Sequence, residues 1–137
     1  MTTIRPEISK DNKYWINKHK YYELKHYCLQ YPTWKKELYR VQYLGSSSVS
    51  DRGPSGNLPS DPTGDLAVMN LYYMDKVGLI ERIAEETDKY LASYILKAVT
   101  EGLSYSYLKS RLDIPCSRDT YYNRYRRFFW LLSQERD

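Results

Sequence analysis

The chain has 137 residues, a formal net charge of +4 and a hydrophobic fraction of 42%. This length suits one domain, or a compact domain with an appended helical hairpin, and we do not expect a multidomain arrangement within it. The aromatic content is weighted towards tyrosine, with sixteen tyrosines against two phenylalanines. Rings that carry a hydroxyl group suit half-buried surfaces, interfaces and contacts to bases or phosphates.

The charge is segregated along the chain. Lys10 to Arg40 carries eight basic and three acidic residues, whereas Asp51 to Glu101 carries five basic and nine acidic residues. Basic charge returns between Ser117 and Leu132, where four arginines accompany a single aspartate. Two basic segments therefore flank an acidic middle, a pattern that favours an acidic partner such as nucleic acid.

The cysteines and the apolar runs favour the cytoplasm as the compartment of this protein. Cys28 and Cys116 lie far apart, and no continuous apolar region of a secretion signal is present. The longest strongly apolar run, Phe128 to Leu132, is far too short to cross a bilayer. We expect a cytoplasmic protein with reduced thiols and no membrane span.

Residues 1–44 are predicted to form a basic, aromatic helical hairpin. Its first helix is expected to begin at Asp11 or Asn12, either of which can cap it, and to end near Gln30. Pro32 stops that helix and fits the first turn of the next one, which places Trp34, Leu38 and Val41 on one face. The lysines between the rings are candidate contacts to phosphate groups or to a partner, or else they coat an aromatic core: Lys18, Lys20, Lys25, Lys35 and Lys36.

Residues 45–64 are predicted to form a flexible linker, because Ser, Gly and Pro dominate them and almost no apolar residue anchors them. The remaining residues, 65–137, are predicted to form a helical bundle. Helical spacing resumes at Asp65, and a further helix is expected from about Leu79 to Glu101, with Gly102 as its left-handed cap. No stretch alternates as a strand does, so the predicted fold class is all-α.

The bundle is predicted to end in a helix-turn-helix. Leu103 to Leu112 forms the first helix, with Ser104 as its cap, and Asp113 to Cys116 forms the turn, in which Ile114 is the apolar plug. Ser117 caps the second helix, which runs to Gln134. One stripe of that helix is expected to face inward, namely Tyr121, Tyr125, Phe128 and Leu132.

The other stripe of the second helix has the chemistry to read DNA. Arg118 and Arg126 can bind guanine edges, Asn123 can read adenine, and the ring of Tyr122 can reach a phosphate or a thymine methyl group. Ser117 lies at the start of the same stripe. Arg124 and Arg127 lie at its flank, where phosphate contacts and packing of the aliphatic stem are expected. The alternative is a terminal bundle helix whose arginines are merely solvated.

The run "AVTEGLSYSYLKSRLDIPCSRDTYYNRYRRFFWLLS" resembles the C-terminal helix-turn-helix of phage and prophage transcriptional regulators of the ArpU and RinA type, which is itself similar to region 4 of bacterial sigma factors. Gly102 and the segment Ser117 to Arg124 carry this resemblance, while Pro115 and Cys116 lengthen the turn. The resemblance implies a phage-encoded regulator of late or packaging genes that acts on double-stranded DNA in the bacterial cytoplasm. Host RNA polymerase or another host protein is then a candidate partner.

Two other functions fit the same features. A small terminase subunit resembles this plan and would form a ring-shaped oligomer. A phage protein could instead use the basic, tyrosine-rich surface to inhibit a host enzyme that acts on nucleic acid, as in antiviral defence. Gel filtration with light scattering separates the first of these from a monomer or dimer, and a pull-down that survives nuclease identifies the second.

Enzymatic and metal-binding functions have weak support. His19 and His26 lie near Cys28, but no second cysteine pair completes a zinc pattern. The acidic residues of the middle segment alternate with bases and read as a solvated helix face: Glu81, Glu85, Glu86 and Asp88. No nucleotide-binding loop or nucleophile motif is present, so we expect neither an enzyme nor a cofactor.

Overall fold

A computed structural model describes residues 12–51 and 62–136. Within these ranges the regular structure is helical and no strand occurs, so the predicted all-α class is confirmed. The helices are α1 (Lys18–Leu29), α2 (Tyr31–Asp51), α3 (Pro62–Thr87), α4 (Ala92–Glu101), α5 (Tyr105–Leu112) and α6 (Arg118–Glu135). None of the helices in these ranges is both long and apolar enough to cross a membrane.

The first helix begins later than its sequence predicts. The side chain of Asn12 accepts a hydrogen bond from the Tyr14 N–H at 2.8 Å, but the turn that it caps does not continue as a helix. The cap of α1 is Asn17, whose side chain accepts from the His19 N–H at 2.8 Å. The start predicted at Asn12 is therefore wrong, and Asp11 lies outside the described residues. The end near Gln30 and the placement of Pro32 in the first turn of α2 are confirmed.

Helices α2 and α3 extend into the segment that was predicted to be a linker. Helix α2 continues to Asp51 and α3 begins at Pro62, so both ends of the segment 45–64 are helical. Residues 52–61 of that segment lie outside the described residues. The division into 1–44, 45–64 and 65–137 stays a prediction.

The break between α3 and α4 lies at Asp88 and not near Leu79. Helix α3 passes through Gly78, where an added Cβ would meet nothing within 4 Å, so this glycine neither breaks the helix nor marks close packing. The carboxylate of Asp88 accepts hydrogen bonds from the Tyr90 and Leu91 N–H groups at 2.9 and 3.1 Å and thereby caps the next turn. Gly102 ends α4 with φ +70°, as predicted.

The chain divides into two compact units. Unit 1 holds the described residues of 1–30 and 80–137, and unit 2 holds those of 31–79. In unit 1, α1 packs on α4 and α6. The Tyr21 ring of α1 lies edge-on to Phe129 of α6 at 5.1 Å between centroids, and Leu24 beside it is fully buried. Each such side chain contributes about 1.5–3 kcal/mol through burial.

Unit 2 contains α2 and residues 62–79 of α3. On α2, Trp34 and Val41 are buried and Leu38 is half-buried, which confirms the face predicted from their spacing. The ammonium of Lys76 on α3 lies 5.1 Å from the centroid of the Trp34 ring. This cation–π contact joins the two helices of the unit.

Candidate nucleic-acid interface

The segment from Ser104 to Ser117 is built by local capping. The Ser104 side chain accepts from the Tyr107 N–H at 3.1 Å, and α5 ends at Leu112, followed by the C-cap Asp113, whose φ of 53° is left-handed. Ile114 is fully buried, and the Ser117 side chain accepts from the Thr120 N–H at 3.2 Å to start α6. These caps and the buried plug agree with the sequence prediction. Helix α5 begins two residues after the predicted Leu103, and α6 begins and ends one residue after its predicted bounds.

Two side chains of α5 hold the turn, and sequence reasoning assigned neither of them this task. The Tyr105 hydroxyl donates to the Cys116 carbonyl at 2.7 Å, and the Lys109 ammonium donates to the Ile114 carbonyl at 3.3 Å. The carbonyls of a turn that Pro115 lengthens are therefore satisfied from the preceding helix. These two hydrogen bonds connect α5 to the residues that directly precede α6.

One side of α6 is buried, as its spacing predicts. Tyr121, Phe128 and Leu132 are buried. Tyr125 is only half-buried as a residue, yet its hydroxyl is 2.6 Å from that of Tyr21 on α1. Burial and the adjacent Tyr21 hydroxyl raise the pKa of Tyr125 well above its usual value. Phe129, fully buried one helical turn after Tyr125, belongs to the same stripe although the prediction omitted it.

Arg118 is exposed in the first turn of α6. Its guanidinium carbon is 5.1 Å from the ring centroid of Tyr105 and 5.9 Å from that of Tyr122. One guanidinium nitrogen donates to the Tyr122 hydroxyl at 3.2 Å. A planar cation that contacts two rings and a hydroxyl loses much of its rotamer freedom while it keeps its remaining donors in solvent.

The other residues predicted to read bases differ in the side-chain contacts that they form. Arg126 is half-buried, and its side chain forms no hydrogen bond or ion pair with any of the described residues. The Asn123 side chain accepts from the Arg124 guanidinium at 2.5 Å. The Ser117 hydroxyl accepts from the Thr120 N–H and lies 3.1 Å from its side-chain oxygen, so capping already occupies it.

Arg124 points towards the turn between α3 and α4. Its Nε donates to the Asp88 carboxylate at 2.8 Å, and the Asp88 side chain is only 15% exposed. Burial raises the pKa of Asp88, but the hydrogen bonds from Arg124 and from the Leu91 and Tyr90 N–H groups outweigh it, so the pKa lies below its usual value. Arg124 thus stabilises the charge of the residue that caps this turn.

Arg127 binds the end of α3. Its guanidinium donates to the Thr87 carbonyl at 3.1 Å, to the Glu86 carbonyl at 3.3 Å and to the Tyr14 hydroxyl at 3.3 Å. A cation at a helix C-terminus satisfies carbonyls that lack an intrahelical partner and interacts favourably with the helix dipole. Arg124 and Arg127, expected at the flank of the DNA-reading face, are therefore occupied by contacts inside unit 1.

The same region contains an open depression of about 480 Å³. Its lining carries both charges, since Arg124, Arg127 and Lys89 accompany Glu85, Glu86 and Asp88, three of the four acidic residues that the sequence placed on a solvated helix face. Glu86 is also paired with Arg82 at 2.9 Å. This mixed lining offers no single charge for a ligand.

The N-terminal lysines fall into both units. In unit 1, Lys18 is exposed and the Lys25 ammonium lies 6.0 Å from the Tyr22 ring centroid. Lys20 instead pairs with Glu23 at 3.2 Å and donates to the Arg136 carbonyl at 2.6 Å. In unit 2, Lys36 is exposed, and the Lys35 ammonium lies 5.9 Å from the ring centroids of Tyr31 and Tyr39.

The residues weighed as metal ligands do not form a metal site in the described part of the chain. No three His, Cys, Asp or Glu side chains of residues 12–51 and 62–136 are grouped so as to hold a metal ion. His19 and His26 are exposed, whereas Cys28 is fully buried. Burial raises the pKa of the Cys28 thiol far above its usual value, so the ligating thiolate is strongly disfavoured.

No family model matches the chain, and comparison with curated proteins and with solved structures gives no match. The candidate interface is therefore defined by its side chains: the exposed Arg118 between two tyrosine rings, Arg126 two turns later, and a capped entry into α6.

Proposed function

We propose that the protein is a sequence-specific DNA-binding protein that places the first half of α6 in a major groove. The observation that carries this proposal is Arg118, which is exposed at the start of a capped helix and contacted by Tyr105 and Tyr122. An arginine held in this manner is prepared for bidentate hydrogen bonds to guanine O6 and N7. Arg126, two turns further on the same helix, is the second base-reading residue.

The phosphate contacts belong to a narrower set of residues than the sequence alone indicates. Arg124 and Arg127 already serve the end of α3 and the turn after it. Lys18 and Lys25 of α1 are the better candidates in unit 1, since Lys20 is paired internally. Lys35 and Lys36 would add contacts from unit 2. Each neutralised phosphate releases counterions, so affinity would fall steeply with salt.

The biological role follows from the resemblance to phage regulators. We propose transcriptional regulation of late or packaging genes in the cytoplasm of a bacterial host, with double-stranded DNA as the ligand and host RNA polymerase as a candidate protein partner. The role is non-enzymatic, and the chemistry of α6 is that of recognition.

Fluorescence anisotropy and footprinting with DNA from upstream of phage packaging genes test the proposal. The intact protein should bind at low salt, and Arg118→Ala/Arg126→Ala should weaken specific binding by roughly 30-fold or more, since each bidentate contact contributes about 1–3 kcal/mol. The matched control is Arg82→Ala, because Arg82 is 48% exposed in the same unit and pairs only with Glu86 and Glu135 in the described part of the chain.

Two results would overturn the proposal. The first is absence of binding at low salt by the intact protein. The second is equal affinity of the wild type and the double variant while both retain the same helicity by circular dichroism.

A further inference from the structure

Unit 2 presents two exposed stripes, of which the DNA-binding proposal uses only Lys36. The first, here the α2 face, consists of Lys36, Tyr39, Arg40 and Tyr43, and its two rings are 65% and 72% exposed. The second, here the α3 face, has three large apolar side chains that are 55–68% exposed between two exposed aspartates. It consists of Asp65, Val68, Leu71, Tyr72 and Asp75.

The α3 face is the second apolar side of its helix. Val77 is buried, and Tyr73 on the same side is half-buried, so this side already serves the interior of unit 2. Val68 and Leu71 lie on the opposite side at helical spacing and remain in solvent. One apolar side of α3 therefore packs inside unit 2, while the second apolar side is exposed. Exposed apolar patches of this kind are typical of interaction sites.

Gly78 continues the α3 face at the spacing of Leu71 plus seven residues. An added Cβ would meet nothing within 4 Å, so the interior of the fold does not require a glycine here. A glycine in the middle of a helix costs about 0.5–1 kcal/mol relative to alanine. Its position on an exposed apolar side leaves room for another backbone to approach closely.

The two faces are complementary in charge. Lys36 and Arg40 accompany the rings of the α2 face, and Arg40, which pairs with Glu37 at 2.8 Å, is still 50% exposed. Asp65 and Asp75 flank the apolar residues of the α3 face. We propose that these faces bind each other between copies of the chain, so that the α2 face of one copy docks on the α3 face of a second copy.

The exposed area fits such an assembly. The three tyrosines of the two faces expose on the order of 400 Å² of side chain, given about 200 Å² for a whole ring and stem. Val68 and Leu71 add to this area, and a standard interface buries about 800 Å² per partner. In a reciprocal dimer, in which each copy docks its α2 face on the α3 face of the other, both faces of a copy are covered at one interface and together supply more than half of this area. This self-association does not depend on the DNA-binding proposal.

Charge reversal tests the pairing. Sedimentation velocity at about 100 μM protein and low salt should show the wild type as an oligomer. Asp65→Lys/Asp75→Lys makes both faces basic, and Lys36→Glu/Arg40→Glu makes both acidic, so each variant alone should be a monomer with at least about tenfold weaker self-association. An equimolar mixture of the two variants restores opposite charges at every contact and should associate again.

A control pair and an apolar variant complete the design. Lys18→Glu/Lys89→Glu changes the net charge equally at exposed positions of unit 1 and should leave the oligomer intact. Leu71→Glu, at a position that is 60% exposed, should dissociate the oligomer without loss of helicity. A monomeric wild type, oligomers in all variants, or a mixture that stays monomeric would each overturn the proposal. Binding to DNA, measured separately on Leu71→Glu, keeps the two proposals distinguishable.

Discussion

Two sides of the same helix use arginine in opposite ways. Arg118 is exposed on α6 and contacts only Tyr105 and Tyr122 within the described residues, whereas Arg127, nine residues later, donates to two carbonyls at the end of α3 and to the Tyr14 hydroxyl. Arg124 similarly binds Asp88. The position along α6 and the neighbouring helix end, more than residue type, therefore determine which of these cations is exposed and which forms contacts inside unit 1.

Among the changes compared here, removal of the Arg127 guanidinium should have the largest effect, and the quantity affected is stability. Arg127→Met keeps the aliphatic stem but leaves the Thr87 and Glu86 carbonyls without their donors, so we expect a loss of about 2 kcal/mol in the free energy of unfolding. Arg118→Met should change that free energy by less than about 0.5 kcal/mol. Urea denaturation followed by circular dichroism measures both.

For DNA affinity we expect the reverse: the larger effect should come from Arg118→Met and the smaller from Arg127→Met. At a temperature where both proteins are folded, Arg127→Met should bind DNA as the wild type does, while Arg118→Met should bind more weakly. Equal losses of affinity in the two variants would contradict the division of α6 into two sides.

The stabilising contact between Arg124 and Asp88 can be tested through the pH dependence of stability. Its pKa in the folded protein lies below the unfolded value of about 3.9. Its contribution is therefore fully present above about pH 4 and is lost as the pH falls through the folded pKa. Asp88→Asn removes the charge that Arg124 contacts and should cost about 1 kcal/mol at pH 7.

The measurement is the free energy of unfolding between pH 2 and pH 7. The difference between the wild type and Asp88→Asn should shrink as the solution becomes more acidic. A difference that stays constant over this range would show that the carboxylate charge does not contribute, and Asp119→Asn, at an exposed position of the same unit, is the matched control.

The sequence predicts those features that depend on nearby residues. Ser104, Gly102 and Ser117 are caps, and their roles follow from residue type and position within the local pattern. The break at Asp88 was missed because the apolar spacing of α3 continues into α4, and only the side-chain cap of an aspartate interrupts it.

The roles of Arg124 and Arg127 could not be predicted in the same way. Their partners, Asp88 and Thr87, lie 36 and 40 residues earlier in the chain, so the contacts depend on the packing of the helices. The hydrogen bond from Tyr105 to Cys116 and the contact of its ring with Arg118 likewise follow only from the three-dimensional course of the turn.

Tyr122 gives the finest test of the exposed side, with the smallest expected effect. Tyr122→Phe keeps the ring beside Arg118 but removes the hydroxyl that accepts from its guanidinium at 3.2 Å. If the hydroxyl orients Arg118 for a guanine, affinity for specific DNA should fall about threefold, the value of a modest hydrogen bond, while the salt dependence of binding stays the same. If the hydroxyl instead contacts a phosphate, specific and nonspecific DNA should lose affinity equally. Anisotropy titrations with a target site and with a scrambled site distinguish these outcomes, because only an orienting role makes the loss depend on the sequence of the DNA.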